Sequence, residues 1–314
     1  MRRLIATFLL VTGTLVNLQA EPYSHMDEIA TQPKTFLAYR LLTADSIRYC
    51  LAVPAEKIWQ VTPQEADTLI RAALREWTHG IALRIRQAGR AEEFPDILAV
   101  LEKPLTLSNV PGCESLANPT HKWISSSNTK ADIVFLVSSK QCERKFKETA
   151  SFYSPAEKNR LPLICLQAQQ NENPLQEISF QEYVPMADTK EGANILQQRF
   201  ALFDTVAKGG YSTETQQELW ETNRFFSYDR PTLFATIAHE LGHAFGLRDE
   251  YLDERPEDYA SKQPGTGIMQ RLYDPISCDE VDGMITLLDR LNNTSRTFRS
   301  FCSNRNVLEN GTEK

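Results

Sequence analysis

The chain has 314 residues, of which 41% are hydrophobic and 24% charged, and its formal net charge is −7. That balance supports an apolar core in one large domain or two small ones, and it excludes a chain too polar to fold. The acid excess argues against nucleic acid and anionic membrane surfaces as main partners.

Arg2 and Arg3 precede an apolar stretch, Leu4 to Val16, and Ala20 follows as a small residue. This is the layout of a cleaved secretory signal over residues 1–20. The stretch is shorter than the ~20 residues that a bilayer span requires, so export without a stable membrane anchor is expected. Residues 21–45 are polar and mixed and read as an N-terminal lead, with the main domain over 46–314. Six cysteines follow, none in a C-x-x-C pair. In an exported chain disulfides are then the expected role, and a cysteine-based zinc site is disfavoured. Cys278 is expected to pair with Cys302, since the two flank one C-terminal helical segment.

Ile47 to Val53 reads as a strand. Thr62-Pro63-Gln64-Glu65 is a helix start with a capping threonine and proline in the first turn. The helix is expected to run to about His79, with Ala66, Leu69, Ile70, Ala73 and Trp77 on one packing face. Prolines and Gly112 mark loops over 80–130, and Ala131 to Ser138 is the clearest strand. Leu161 to Gln167 reads as another strand. Residues 168–230 read as an insertion, with amphipathic helices near 190–207 and 213–226. Pro231 to Phe245 is apolar on most sides, the pattern of a buried helix, and Gly246 stops it. Residues 251–266 form a charged loop, and Ser277 to Leu291 is again helical. The last 20 residues are polar and read as peripheral.

The chemistry concentrates in His239-Glu240-Leu241-Gly242-His243. Histidines four apart on a helix share one face, so their imidazoles can converge on a single zinc ion. Glu240 beside them can hold water and take its proton, and zinc lowers the pKa of a bound water to about 7. Two histidines satisfied in a core are the competing explanation. A buried helix makes it costly, because all three polar groups need partners. A catalytic zinc site usually has three protein ligands and one open position. Gly246 lets the backbone turn out of the helix, and Asp249 can fold back as the third ligand. Glu250 and Glu280 are alternative third ligands. His25, His79 and His121 read as surface or loop residues.

The run HELGHAFGLRD, with Asp249 at its end, resembles the metzincin clan of zinc peptidases. It matches the variant with aspartate in place of the usual third histidine, as in snapalysin-like enzymes. The following Glu250-Tyr251 is similar to the ending of IgA-peptidase-like enzymes. Gly265-Thr266-Gly267-Ile268-Met269 resembles the Met-turn of that clan. The resemblance covers residues 236–275. It implies an α+β metzincin-like zincin: a twisted, mostly parallel sheet with an antiparallel edge strand, an active-site helix, a Met-turn and a C-terminal helix. It also implies that Met269 forms an apolar floor under the metal and that a peptide or protein substrate lies beside the edge strand. Tyr251 and Tyr273 are candidate helpers of the reaction. The expected activity is that of a secreted zinc endopeptidase with Glu240 as general base. A non-catalytic secreted zinc-binding protein is the alternative. A third option is a cysteine nucleophile paired with a histidine, and a related hypothesis is Cys50 as an inhibitory thiolate on the metal, which a disulfide at Cys50 rules out.

Overall fold

Five segments, β1 (Ser46–Ala52), β2 (Thr106–Asn109), β3 (Ile133–Ser138), β4 (Phe152–Ser154) and β5 (Leu163–Gln167), form one sheet in the order β2-β1-β3-β5-β4. The computed structural model describes residues 37–53, 63–113, 130–138, 152–154, 161–167, 201–227, 233–247, 267–269, 275–294 and 296–304. Strands β2, β1, β3 and β5 are parallel, and β4 runs antiparallel to β5 at the edge. The protein is therefore a mixed α and β chain around a four-strand parallel sheet with an antiparallel edge strand.

Alternation along the strands divides the sheet into two faces. Ile47, Tyr49, Ile133, Phe135, Val137, Ile164 and Leu166 join the main core under the helices. Cys50, Ala52, Val134, Leu136, Leu163 and Cys165 form a smaller cluster on the other face, which the Cys50–Cys113 disulfide crosses. Burial on both faces explains why β3 reads as a continuous apolar run and not as alternation.

The helices are α1 (Leu37–Thr43), α2 (Pro63–Arg75), α3 (Ile81–Gln87), α4 (Pro95–Leu101), α5 (Thr213–Ser227), α6 (Leu233–Phe245) and α7 (Cys278–Leu291), with 201–207 also helical. The expected face of α2 is buried as read. The helix does not end near His79, however. It passes through a π-helical turn, Glu76–Gly80, and continues as α3. The wider turn shifts the phase, so that Glu76, Trp77, Thr78 and Gly80 are all buried.

Several segments differ from or add to the sequence reading, and the first is 80–113, read as loops, which holds α3, α4 and β2. The end of the polar lead is α1, which buries Leu37, Ala38 and Leu41. Its Arg40 pairs with Asp132 next to β3, and so does Arg48 of β1. Within the expected insertion, Phe203, Val206, Leu219 and Trp220 belong to the main core, and Phe203 and Trp220 stack on Phe234 of α6. The C-terminal segment 296–304 is attached firmly. Phe298 and Phe301 pack on Phe94, and Arg296 reaches Asp289 and Asp96. Cys302 is bonded to Cys278, the pairing expected from sequence. The expected signal segment, Thr62, and residues 168–200 lie outside the described residues.

Candidate metal centre

Helix α6 carries the site because nearly every residue of it is buried against the rest of the core. It packs along α2 and the π turn on one side and on β5 and the edge strand β4 on the other. Trp77 fixes the first contact: its indole N–H donates to the Ala238 carbonyl at 2.6 Å, and its ring lies 5.8 Å from Phe245. His239 and Glu240 are 6% and 5% exposed, which places both polar side chains in an apolar setting.

The two histidine rings are 4.9 Å apart, centre to centre, and stand edge to face. Each is tethered at the same atom. His239 Nδ1 lies 2.9 Å from the Ile268 carbonyl oxygen, and His243 Nδ1 lies 2.9 Å from the Leu247 carbonyl oxygen. A carbonyl can only accept, so Nδ1 carries the proton on both rings. A neutral imidazole protonated there has its lone pair at Nε2, and this is the tautomer that a metal ligand requires. The donor chemistry of the pair therefore fits a zinc ion.

Local backbone geometry explains both tethers. Gly246 has φ +115, a region that side chains disfavour, and it ends α6. Its N–H bonds the His243 carbonyl, and the Leu247 N–H bonds the Gly242 carbonyl, which together form a Schellman turn. That turn carries the Leu247 carbonyl back to the His243 ring. The second tether comes from Gly267, Ile268 and Met269. Their position is held by Glu280, whose Oε1 accepts from the Met269 N–H at 3.0 Å.

Met269, expected from sequence beneath the metal, packs against α6 at Gly242, between the two histidines in the chain. A Cβ on Gly242 would collide with Met269 Sδ and come within 2.7 Å of Trp77 Cζ2. Gly242 is thus the point at which Met269 and Trp77 close on the helix. Sequence reading did not assign it a role, because neither neighbour is near it in the chain.

Glu280, one of the alternative third ligands, is 1% exposed. It serves the backbone: Oε2 accepts from the Ser277 N–H at 2.6 Å and from the Ser277 hydroxyl, closing a capping box at the start of α7. Both oxygens are engaged, so its geometry favours a structural role over metal ligation. The spacing Ser277-Cys278-Asp279-Glu280 carried that signal in the sequence. Asp249, Glu250, Tyr251 and Tyr273 lie outside the described residues. His79 sits in the π turn with Nδ1 3.1 Å from Thr78 Oγ1.

Among the described residues, the one group with three metal-type side chains together is Cys278, Asp279 and Cys302. Its two sulfurs are bonded to each other, so neither offers a thiolate. This group is a disulfide beside a carboxylate and not a better metal site than α6. Cys50 is likewise bonded to Cys113, which removes it as an inhibitory thiolate. No cysteine among the described residues is free to act as a nucleophile. Nor is any helix among them long and apolar enough to cross a membrane. No family model, no curated protein and no solved structure matches this chain.

Proposed function

We propose that the protein is a secreted, zinc-dependent endopeptidase of metzincin-like design, with His239 and His243 as ligands, Asp249 as the third ligand and Glu240 as general base. The observation that carries this reading is the pair of Nδ1 tethers, which gives two neighbouring histidines on one buried helix the same ligand tautomer. Met269 beneath the helix and the left-handed turn at Gly246 agree with it. Disulfides at Cys50–Cys113 and Cys278–Cys302 are compatible with an oxidising compartment, and hence with export.

Zinc, when bound, supplies Lewis acidity for a peptide carbonyl and acidifies water. The remaining work falls to the chain. His239 and His243 keep their Nδ1 protons on backbone carbonyls, which fixes their ring planes. Glu240 takes a proton from the attacking water and returns it to the leaving amine. The low exposure of Glu240 strengthens that exchange by keeping bulk water away. Among the described strands β4 lies at the sheet edge, next to α6, where an extended peptide would align.

The test is Glu240→Ala, assayed by mass spectrometry on a mixed peptide library with zinc content measured in parallel. Removing the base is expected to slow cleavage by about 10²–10⁴-fold while the protein keeps its zinc. Wild-type rates in the variant, or no cleavage by zinc-loaded wild type, contradict the proposal. Equal zinc content in an inactive wild type favours the non-catalytic zinc-binding alternative.

A further inference from the structure

The peptide unit between Ile268 and Met269 is shared by two buried partners. Its oxygen accepts from His239 Nδ1 at 2.9 Å, and its N–H donates to Glu280 Oε1 at 3.0 Å. Glu280 and His239 are therefore joined through one rigid planar group. We propose that Glu280 is a positioning residue of the metal site, acting on His239 through the 268–269 peptide. The inference rests on the reading of His239 as a zinc ligand.

The connection acts in two ways. First, Glu280 anchors the 267–269 segment to the start of α7. Its other oxygen is held by the backbone N–H and hydroxyl of Ser277, so the carboxylate cannot drift. The Ile268 carbonyl then sits at a fixed place, and so does the His239 ring that donates to it. Second, an oxygen accepting at the N–H end of a peptide polarises it and makes the oxygen at the far end a stronger acceptor. A stronger acceptor at Nδ1 makes Nε2 a better ligand. The contact depends on glycine at 267, where any Cβ would overlap the Glu280 carboxylate. The sequence separates Glu280 from His239 by two other segments, and only the fold brings the three groups into line.

A purely structural role for Glu280, as the cap of α7, makes a different prediction, and a matched pair of variants separates the two. Ser277→Ala removes the capping side chain and leaves the Met269 bond in place. Glu280→Gln cannot satisfy the Met269 and Ser277 N–H groups together, because only one of its side-chain atoms is an acceptor. Zinc affinity is measured by competition with a chromophoric chelator for the wild type and both variants, and thermal midpoints are recorded alongside. Glu280→Gln is expected to weaken zinc binding by about 10-fold or more, the range seen for outer-shell partners. Ser277→Ala is expected to lower the midpoint and to weaken zinc binding clearly less than Glu280→Gln does, since Glu280 loses one of its two Ser277 donors but keeps the Ser277 N–H and the Met269 N–H.

Equal affinity in Glu280→Gln and wild type overturns the proposal. So does an equal loss in both variants, which would make helix capping the cause. Wild type that takes up no zinc overturns the metal-site reading itself and is recognised before any variant is compared. If Glu280→Gln does not fold, nitrogen NMR of the His239 imidazole in zinc-loaded wild type decides. A proton on Nδ1 with metal at Nε2 supports the inference, and metal at Nδ1 overturns it.

Discussion

Gly242 sits between the two histidines where Trp77 and Met269 both reach α6, and the account makes a direct prediction there. Gly242→Ala pushes a methyl group into the rigid Trp77 ring and should cost about 1–3 kcal/mol of stability, measured by urea unfolding. A variant as stable as wild type would show that the floor of the site is loosely packed. Gly246→Ala tests the adjacent turn. With φ at +115 the alanine is strained by about 1–2 kcal/mol, and relief of that strain moves the Leu247 carbonyl away from His243. Weaker zinc binding together with lower stability is the expected result. At this scale the sequence was informative wherever chemistry depends on residue type. His239, Glu240 and His243 stand out as candidate site residues by identity and spacing, and Gly246 by its place after the helix. Gly242, Trp77 and the Ile268 carbonyl could not be recognised in this way. Their roles come from contacts between distant segments, and a backbone carbonyl has no letter in the sequence.

Among the elements, α7 and the segment after it carry a pH dependence. Asp282 accepts from the Phe301 N–H at 2.9 Å and the Ser300 hydroxyl at 2.5 Å. Burial pushes its carboxyl up to about 6, against the pull of those donors and with some help from neighbouring Asp279. A carboxyl whose pKa is higher in the folded protein favours folding while it is protonated in both states. That contribution is present below the ordinary carboxylate range and is lost as pH rises to 6. Unfolding measured from about pH 4 to 7 should therefore show a decline in stability that Asp282→Asn lacks. Identical profiles for the two proteins would mean that Asp282 is better hydrated than its surroundings imply. The pH effect and the attachment of 296–304 have one origin, and both were hidden in the sequence. A polar tail looks peripheral until Phe298, Phe301 and Cys302 are seen to find partners. The apolar helices and strands were legible because their periodicity reflects burial. The π turn at Glu76–Gly80 was not, because it breaks that periodicity in the middle of a helix. Similarly, α1 has only seven residues, too few for a helical period to show, although Leu37, Ala38 and Leu41 are buried in the core and Leu42 packs beside them.

For the whole molecule, a parallel sheet with one antiparallel edge strand supports a buried helix, and disulfides tie down both the sheet and the C-terminal segment. Cys50–Cys113 spans 63 residues and braces the sheet on the face opposite the main core, while Cys278–Cys302 spans 24 and pins the C-terminal segment to α7. Loops of such lengths are worth about 2–4 kcal/mol each, so reduction should lower the thermal midpoint well beyond the effect of any single surface change. The measurement that bears most directly on the central claim is X-ray absorption at the zinc edge of the loaded, oxidised protein. The account predicts two imidazole nitrogens and otherwise oxygen around the metal, with loss of both imidazole signals in the double variant His239→Ala/His243→Ala. A shell containing sulfur, or one unchanged when both histidines are removed, would contradict it.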